Sequence, residues 1–473
     1  MSLLSGITAT YTDLYQITMG QVYFLSKQHQ HKAVFDYFFR KLPFGGGYAV
    51  FAGLQDVLQI VEQLKFSAQD LDFLRSNEFN AEYIDYLKSW RFKGSIYSSR
   101  EGDLVFPTRP VLRVEGNILE TQLLETLLLN MLNFQTLVAT KASRIRLVAG
   151  DAILTDFGLR RAQGLGGYHA ARACIIGGFN STSNVTASVD YCLTASGTMA
   201  HSLVQSYEDE LTAFRHFSEG RPHQCVLLVD TYSTLNSGVP NAIMIAKEME
   251  RRGHALMAIR LDSGDLAYLA KRSRQMLDDA GLHYVRIAAS NQLDEYVIKS
   301  LLDQRAPIDI FGVGTNLVTG QPDAALDGVY KLSYFDDKPR IKLSESVVKT
   351  TLPGVKQVYR AIDSNGDFGG ADVVALHEDQ GIAEMMHPFE AGKSFSLNEF
   401  SLEPLLNKVM ENGKAVAEPS TPEEIAAYAR RRLLKLPQEY KRFHFPHIYK
   451  VGISSSLMNQ RDEIRNHFKG RYS

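Results

Sequence analysis

Two kinds of hydrophobic pattern follow one another along this chain, and the change between them divides it. In the middle, four short apolar runs each end in polar or glycine residues: CVLLVDTYS (225–233), HALMAIRLDSGD (254–265), HYVRIAASN (283–291) and IDIFGVGTN (308–316). Continuous β-rich runs of this kind predict strands covered on both faces, as in a parallel sheet. Between them, NAIMIAKEMERRG, DLAYLAKRSRQMLDDAG and QLDEYVIKSLLDQ place apolar residues at helical spacing with charged opposite faces, and glycine follows the first two. Strand and helix recur at roughly 25 to 30 residues, the size of a βα unit. The residues themselves do not repeat, so the period is architectural. DAILTDFGLRR (151–161) reads as an earlier strand of the same sheet. A complete or partial β/α barrel is the preferred reading, although an open doubly wound sheet satisfies the same pattern.

The flanks are patterned differently. HKAVFDYFFRKL (31–42) is aromatic-rich and strand-like, with PFGGGY as the turn that follows, and SAQDLDFL (67–74) opens a helix with Ser67 and Asp70 at capping-box spacing. SIYSSREGDLVFPTRPVLRVEGNI (95–118) predicts strands parted by glycine and proline turns, and GVYKLSYFDDKPRIKLS predicts a hairpin turning at DDKP. STPEEIAAYARRRL starts a late helix with Thr421 as cap, Pro422 in the first position and Glu424 in the third; Arg430 to Arg432 read as its solvated end.

Length and charge narrow the function. At 473 residues the chain exceeds one ordinary core, and 51 Lys plus Arg against 53 Asp plus Glu leave no basic field to hold nucleic acid. An anionic ligand must therefore be gripped by a local cluster of arginines and backbone amides. Cys174, Cys192 and Cys225 lack metal-ligand spacing and read as buried thiols of a reducing compartment. The most apolar stretch, LLETLLLNMLNFQTLVAT (123–140), is interrupted by Glu125, Asn130, Asn133 and Gln135, so neither a membrane span nor a signal peptide is expected and the location is read as cytoplasmic.

Ligands of either architecture gather beyond the carboxyl ends of the strands. Asp230, Asp262 and Asp265 would stand on that rim, where carboxylates hold Mg²⁺ or accept from sugar hydroxyls; Asp265 equally suits a helix cap and Asp230 a turn. Gly312-Val313-Gly314-Thr315-Asn316 offers open backbone N–H groups to a phosphate, or serves a plain turn. Arg160 and Arg161 close one strand and Arg260 opens RLDSGD; guanidinium forks suit carboxylate or phosphate, and adjacent arginines on a strand would point to opposite faces. His201 in SGTMAHSL is either structural or, near phosphates, a nucleophile or general base. The residues alone give an α/β enzyme acting on a phosphorylated sugar, with the reaction open.

At TDLYQITMGQVYF (12–24), FDYFFRKLPFGGGYAVFAGL (35–54), FGLRRAQG (157–164), GGFNSTSNV (177–185), GTMAHSLVQS (197–206), LVDTYST (228–234), IRLDSGDL (259–266), GVYKLS (328–333) and the tail FPHIYKVGIS (445–454), the chain resembles the nicotinate phosphoribosyltransferase family in order and over nearly its whole length. The resemblance implies an incomplete β/α barrel beside an α/β domain built from both chain ends, here 126–349 and 1–125 completed by 350–473, and usually a homodimer. It implies that nicotinate, 5-phosphoribosyl 1-pyrophosphate, ATP and water give nicotinate mononucleotide, pyrophosphate, ADP and phosphate, with Mg²⁺. By motif, Tyr15 and Thr198 would line the nicotinate site and Arg160 or Arg161 would oppose its carboxylate. Arg260 and Asp262 would meet the phosphoribosyl group or its metal, with Asp230 a further metal candidate. Gly314 and Thr315, with Thr319 beside them, would hold the 5-phosphate, and His201 matches the family's phosphorylated histidine. The nicotinamide enzyme is a sibling reading, and a barrel aldolase or isomerase for sugar phosphates fits the centre alone.

Overall fold

The computed structural model describes residues 3–344, 350–390, 392–416 and 418–472. The chain forms two compact units, one of residues 141–324 and one of residues 1–140 with 325–473.

In the central unit, all four apolar runs become strands of one sheet. Its members are β1 (Ile153–Asp156), β2 (Ser181–Thr182), β3 (Val226–Leu228), β4 (Ala258–Leu261), β5 (Arg286–Ser290) and β6 (Ile310–Val313). Their order is β2-β1-β6-β5-β4-β3, and each neighbouring pair is parallel. The last strand therefore bonds to the first and the others follow consecutively, so the order is circular with a single seam between β2 and β3. A doubly wound sheet instead reverses its winding at a switch point. Circular order with one seam is that of an incomplete β/α barrel, which resolves the choice the pattern left open. The expected helices stand between the strands, at Val239–Arg251, Leu266–Asp279 and Glu295–Asp303.

One local expectation is corrected here. β1 ends at Asp156, and Leu159–Arg161 forms a 3₁₀ turn beginning at Gly158. Strand alternation therefore does not separate Arg160 from Arg161; both are exposed on that turn.

The other unit joins the chain ends strand by strand. Lys32–Phe39 lies between Leu112–Asn117 and Gly328–Phe335, antiparallel to both, and Ser95–Ser98 pairs with Asn407–Glu411. Gly328–Phe335 turns through Asp336 and Asp337, both at positive φ, into Lys338–Pro339, which gives the expected hairpin. This hairpin pairs with Lys32–Phe39 and so belongs with the chain ends, which sets the later division at 324/325 where 349/350 was expected; the earlier one falls at 140/141 where 125/126 was expected. A second sheet comes wholly from the C-terminal end, with Lys450–Ile453 parallel to Phe368–Leu376 among otherwise antiparallel pairs. Both capping boxes form, Ser67 with Asp70 and Thr421 with Glu424.

The polar interruptions of the apolar stretch have partners. From Glu125 on it lies in the helix Glu125–Ala149, where Asn130 accepts from Tyr11, Asn133 from Tyr37, and Gln135 donates to the buried Asp56. Among the described residues no helix is long and apolar enough to cross a membrane. Cys174 and Cys225 are buried as expected, whereas Cys192 is exposed. Arg432 also departs from expectation. It is buried, donating to Asp103 at 2.7 Å and to Glu403 at 2.8 Å, while Arg430 and Arg431 stay exposed. Arg360 bridges Asp103 and Asp372 at 2.9 and 3.0 Å, and Arg109 meets Asp372 at 2.8 Å, all fully buried. Burial pushes the Asp103 carboxyl up, but Arg360 and Arg432 outweigh it and hold the group below the usual aspartate range.

Candidate active site

The carboxyl ends of β3, β4 and β5 lie side by side, and the side chains there form one hydrogen-bonded group. Arg260, near the end of β4, is its centre. Its Nε donates to Ser290 at 2.8 Å, and its terminal nitrogens to Thr198 Oγ1 at 3.0 Å and Asp262 Oδ1 at 2.9 Å. The guanidinium also lies 5.3 Å from the Phe157 ring centre. Ser290 donates to the same Asp262 oxygen. Burial pushes Asp262 up, but the Ser290 bond and the Arg260 charge, with His201 beyond them, hold its carboxyl below the ordinary range. Asp262 is therefore a carboxylate at neutral pH.

His201 opens the short helix His201–Gln205, with Nδ1 3.1 Å from Thr231 Oγ1 and Nε2 3.8 Å from Asp262 Oδ2. Its side chain is 40% exposed, so a ligand can reach the ring. Asp230 accepts from Asp262 N at 2.9 Å and from Ser263 Oγ at 2.6 Å through Oδ2, while its buried Oδ1 has no partner among the described residues. Asp265 takes the capping alternative, accepting from Tyr268 N.

The neighbouring strand ends are shaped by close approach. A Cβ on Gly312 would lie 2.4 Å from the Phe157 ring, and one on Gly158 would lie 2.1 Å from Val318. Glycine at both places lets β6, the turn after β1 and the Phe157 ring under Arg260 pack together. Gly314 and Thr315 follow at the end of β6, half-buried, at the start of the helix Thr315–Val318. The Thr319 hydroxyl is occupied, donating to Thr315 O at 2.6 Å. Tyr15 belongs to the other unit, on the helix Leu14–Leu25, where it is 49% exposed. Burial, then Glu125 and Asp13, push its hydroxyl up to about 12, so it is neutral.

Thr198, His201, Asp230, Arg260 and Asp262 are thus brought into one connected group; Arg160 and Arg161 stand on the turn after β1. Sequence reasoning passed over Ser290, Thr231 and Phe157. Ser290 and Thr231 carried a signal, since each sits at the polar end of an apolar run.

A barrel sheet with a charged, hydroxyl-rich cluster at its strand ends defines an α/β enzyme that handles an anionic small molecule. The comparisons narrow this class. Models of the nicotinate phosphoribosyltransferase N-terminal domain, family and C-terminal domain match residues 10–133, 152–362 and 355–461. A nicotinate phosphoribosyltransferase of Bacillus subtilis is 43% identical over 98% of this chain and 96% of its own, and one of Dictyostelium discoideum is 36% identical over 96% and 87%. The crystal structure of human nicotinic acid phosphoribosyltransferase superposes with a TM-score of 0.86 at 29% identity, covering 96% of this chain and 99% of that one. The chain belongs to the nicotinate phosphoribosyltransferase family.

Proposed function

We propose that this chain makes nicotinate mononucleotide and pyrophosphate from nicotinate and 5-phosphoribosyl 1-pyrophosphate, coupled to conversion of ATP and water to ADP and phosphate. The observation that carries the reading is the Arg260–Asp262–His201 group at the barrel strand ends, in a chain whose relatives bear this activity in their names. Nicotinate is an anion with an electron-poor ring, which suits stacking on Tyr15 and a guanidinium from Arg160 or Arg161 opposite its carboxylate. That charge pair also favours the acid over the amide.

As pyrophosphate leaves the anomeric carbon, positive charge grows on the ribose and the pyridine nitrogen attacks the opposite face. The protein aligns and neutralises rather than supplying a base. Thr198 and Arg260 border the reacting groups, Asp262 orients the ribose hydroxyls, and Gly314 and Thr315 offer backbone N–H groups to the 5-phosphate. Thr319 is the lesser candidate there because its hydroxyl is already bonded. His201 accepts the γ-phosphoryl of ATP while ADP departs, and water later releases phosphate from it, restoring the imidazole.

Asp230 and Asp262 supply oxygen donors only, and Asp230 Oδ1 is a hard acceptor without a partner among the described residues, a set that fits Mg²⁺ shared with substrate phosphates. Among the described residues no group of three or more His, Cys, Asp or Glu gathers as a cation site, so these two carboxylates would hold the ion together with pyrophosphate. Bound there, Mg²⁺ would supply charge neutralisation to the leaving group. The family resemblance also implies a homodimer, and the reading of the cysteines as thiols of a reducing compartment implies a cytoplasmic location.

The test is incubation with nicotinate, the sugar pyrophosphate and Mg²⁺, with and without ATP. Mononucleotide in both, more with ATP, is expected; none in either rejects the reading. Competition between nicotinate and nicotinamide separates the sibling activity.

A further inference from the structure

The carboxyl end of β1 holds a buried acid that the reaction above does not use. Asp156 is 1% exposed. Its Oδ1 accepts from Gly158 N at 2.7 Å, at the start of the turn that carries Arg160 and Arg161. Its Oδ2 accepts from Thr182 Oγ1 at 2.7 Å, in β2. Thr182 is fully buried, and its backbone bonds on both sides to the strand-like segment Thr194–Ser196, which leads into Gly197 and Thr198. One carboxylate thus ties the arginine-bearing turn to the segment that delivers Thr198 to Arg260.

The bonds as they stand are those of the ionised form. Gly158 N–H can only donate, and the Thr182 hydroxyl, which already accepts from Asn184 N at 3.1 Å, has its proton directed at Asp156. A proton on Asp156 Oδ2 would force the Thr182 hydroxyl to turn its own hydrogen away and accept instead, so the tie as it stands would be lost. Among the described residues Asp156 has no ion-pair partner. The titratable group that faces it is Cys174, on the helix Gly166–Ile176, whose thiol is pushed up by burial and by Asp156 itself. The same helix buries His169 and Arg172, while Arg160 and Arg161 are exposed.

We propose that Asp156 is a positioning residue for nicotinate: its carboxylate sets the turn of Arg160 and Arg161 against the Thr198 segment, so that affinity for the substrate acid depends on its charge. This rests on the reading that one of those arginines meets the nicotinate carboxylate. Burial pushes Asp156 up to about 6, against the bonds from Thr182 and Gly158, so the charge is lost within a range where the enzyme can be assayed.

Initial rates are measured from pH 5.5 to 8 with the full-length wild-type protein, Asp156→Asn and Thr182→Val, varying nicotinate and the sugar pyrophosphate separately. In the wild type, the KM for nicotinate should rise as pH falls through about 6. Asp156→Asn should raise that KM about tenfold at neutral pH, as expected for one lost hydrogen bond. The KM for the sugar pyrophosphate should be unmoved and the acid rise abolished. Thr182→Val removes a bond that holds the carboxylate ionised, so the rise should move up by about one pH unit. The substrate's own ionisation is common to all three proteins and cancels in their ratios. A general loss of both KM values and kcat together, or an acid rise that neither variant shifts, overturns the proposal. Should Asp156→Asn not fold, Thr182→Val decides it. No product from the wild type would overturn the functional reading and this inference together; product with unaltered nicotinate KM in the variants overturns this inference alone.

Discussion

His201 has two different neighbours on its two ring nitrogens, a hydroxyl on one and a carboxylate on the other. Neither contact contributes to a core, so the fold should not depend on the ring. His201→Asn is expected to keep the wild-type melting temperature and a slow transferase activity, and to lose stimulation by ATP; labelled ATP should leave acid-labile phosphate on the wild type and none on the variant. ATP coupling unchanged in that variant would remove the role given to this histidine. Arg160 and Arg161 share an exposed turn, so packing does not choose between them. Alanine at the one that meets the substrate carboxylate should raise the KM for nicotinate about 10- to 100-fold, the worth of a charge-assisted bond of about 1.5 to 3 kcal/mol. Alanine at the other should change it less than about threefold, and steady-state kinetics on the two variants would distinguish them. Equal, small effects from both would exclude either as the ligand.

At the scale of elements, β6 and the turn after β1 are fitted together by the absence of side chains. Gly312→Ala sets a methyl against the Phe157 ring, and Phe157 in turn lies beneath Arg260. Overpacking of this sort costs about 1 to 3 kcal/mol, so a fall in melting temperature together with a drop of tenfold or more in kcat/KM is expected, a figure of about 1.4 kcal/mol at the site. Full activity in that variant would mean the ring need not stay where it is. The same region shows what the sequence could and could not reveal. Barrel strands and helices were legible because buried parallel strands are written as unbroken apolar runs and their helices as stripes. The turn at Leu159–Arg161 was not, since three residues after a glycine display no period, and a strand was read through it. Asp156 escaped notice for a related reason. A lone acid at the end of an apolar run looks like the start of a loop, and only its burial between Gly158 N and Thr182 reveals it as a tie.

Across the whole molecule, the pairing of Lys32–Phe39 with Gly328–Phe335 could not be read from either run, because partner choice between distant strands is a tertiary fact. The buried arginines carry the same lesson: a run of three at 430–432 reads as solvated, yet Arg432 reaches across the fold to Asp103. Breaking such a network strands charge, so Asp103→Asn should cost about 3 to 5 kcal/mol of stability at neutral pH, read from denaturant unfolding. Asp103 is held below its ordinary value, so its contribution is present above the unfolded aspartate range, about 3.9, and lost as pH falls through the folded value. The difference between wild type and variant should therefore shrink on acidification below pH of about 4. A gap that stayed constant to pH of about 2 would show that Asp103 keeps no special charge.

The strand Ser95–Ser98 has Leu112–Asn117 on one side, but its other edge waits for Asn407–Glu411. On a ribosome adding about 5 to 20 residues each second, that neighbour arrives on the order of 15 to 60 s later. Throughout the wait, the nascent amino-terminal ribbon keeps open flanks rich in phenylalanine and tyrosine, which invite adhesion to other unfinished polypeptides. Synthesis in a crowded cell should accordingly lean on holding chaperones, and a message cut short before the final quarter should yield an insoluble fragment rather than a smaller enzyme.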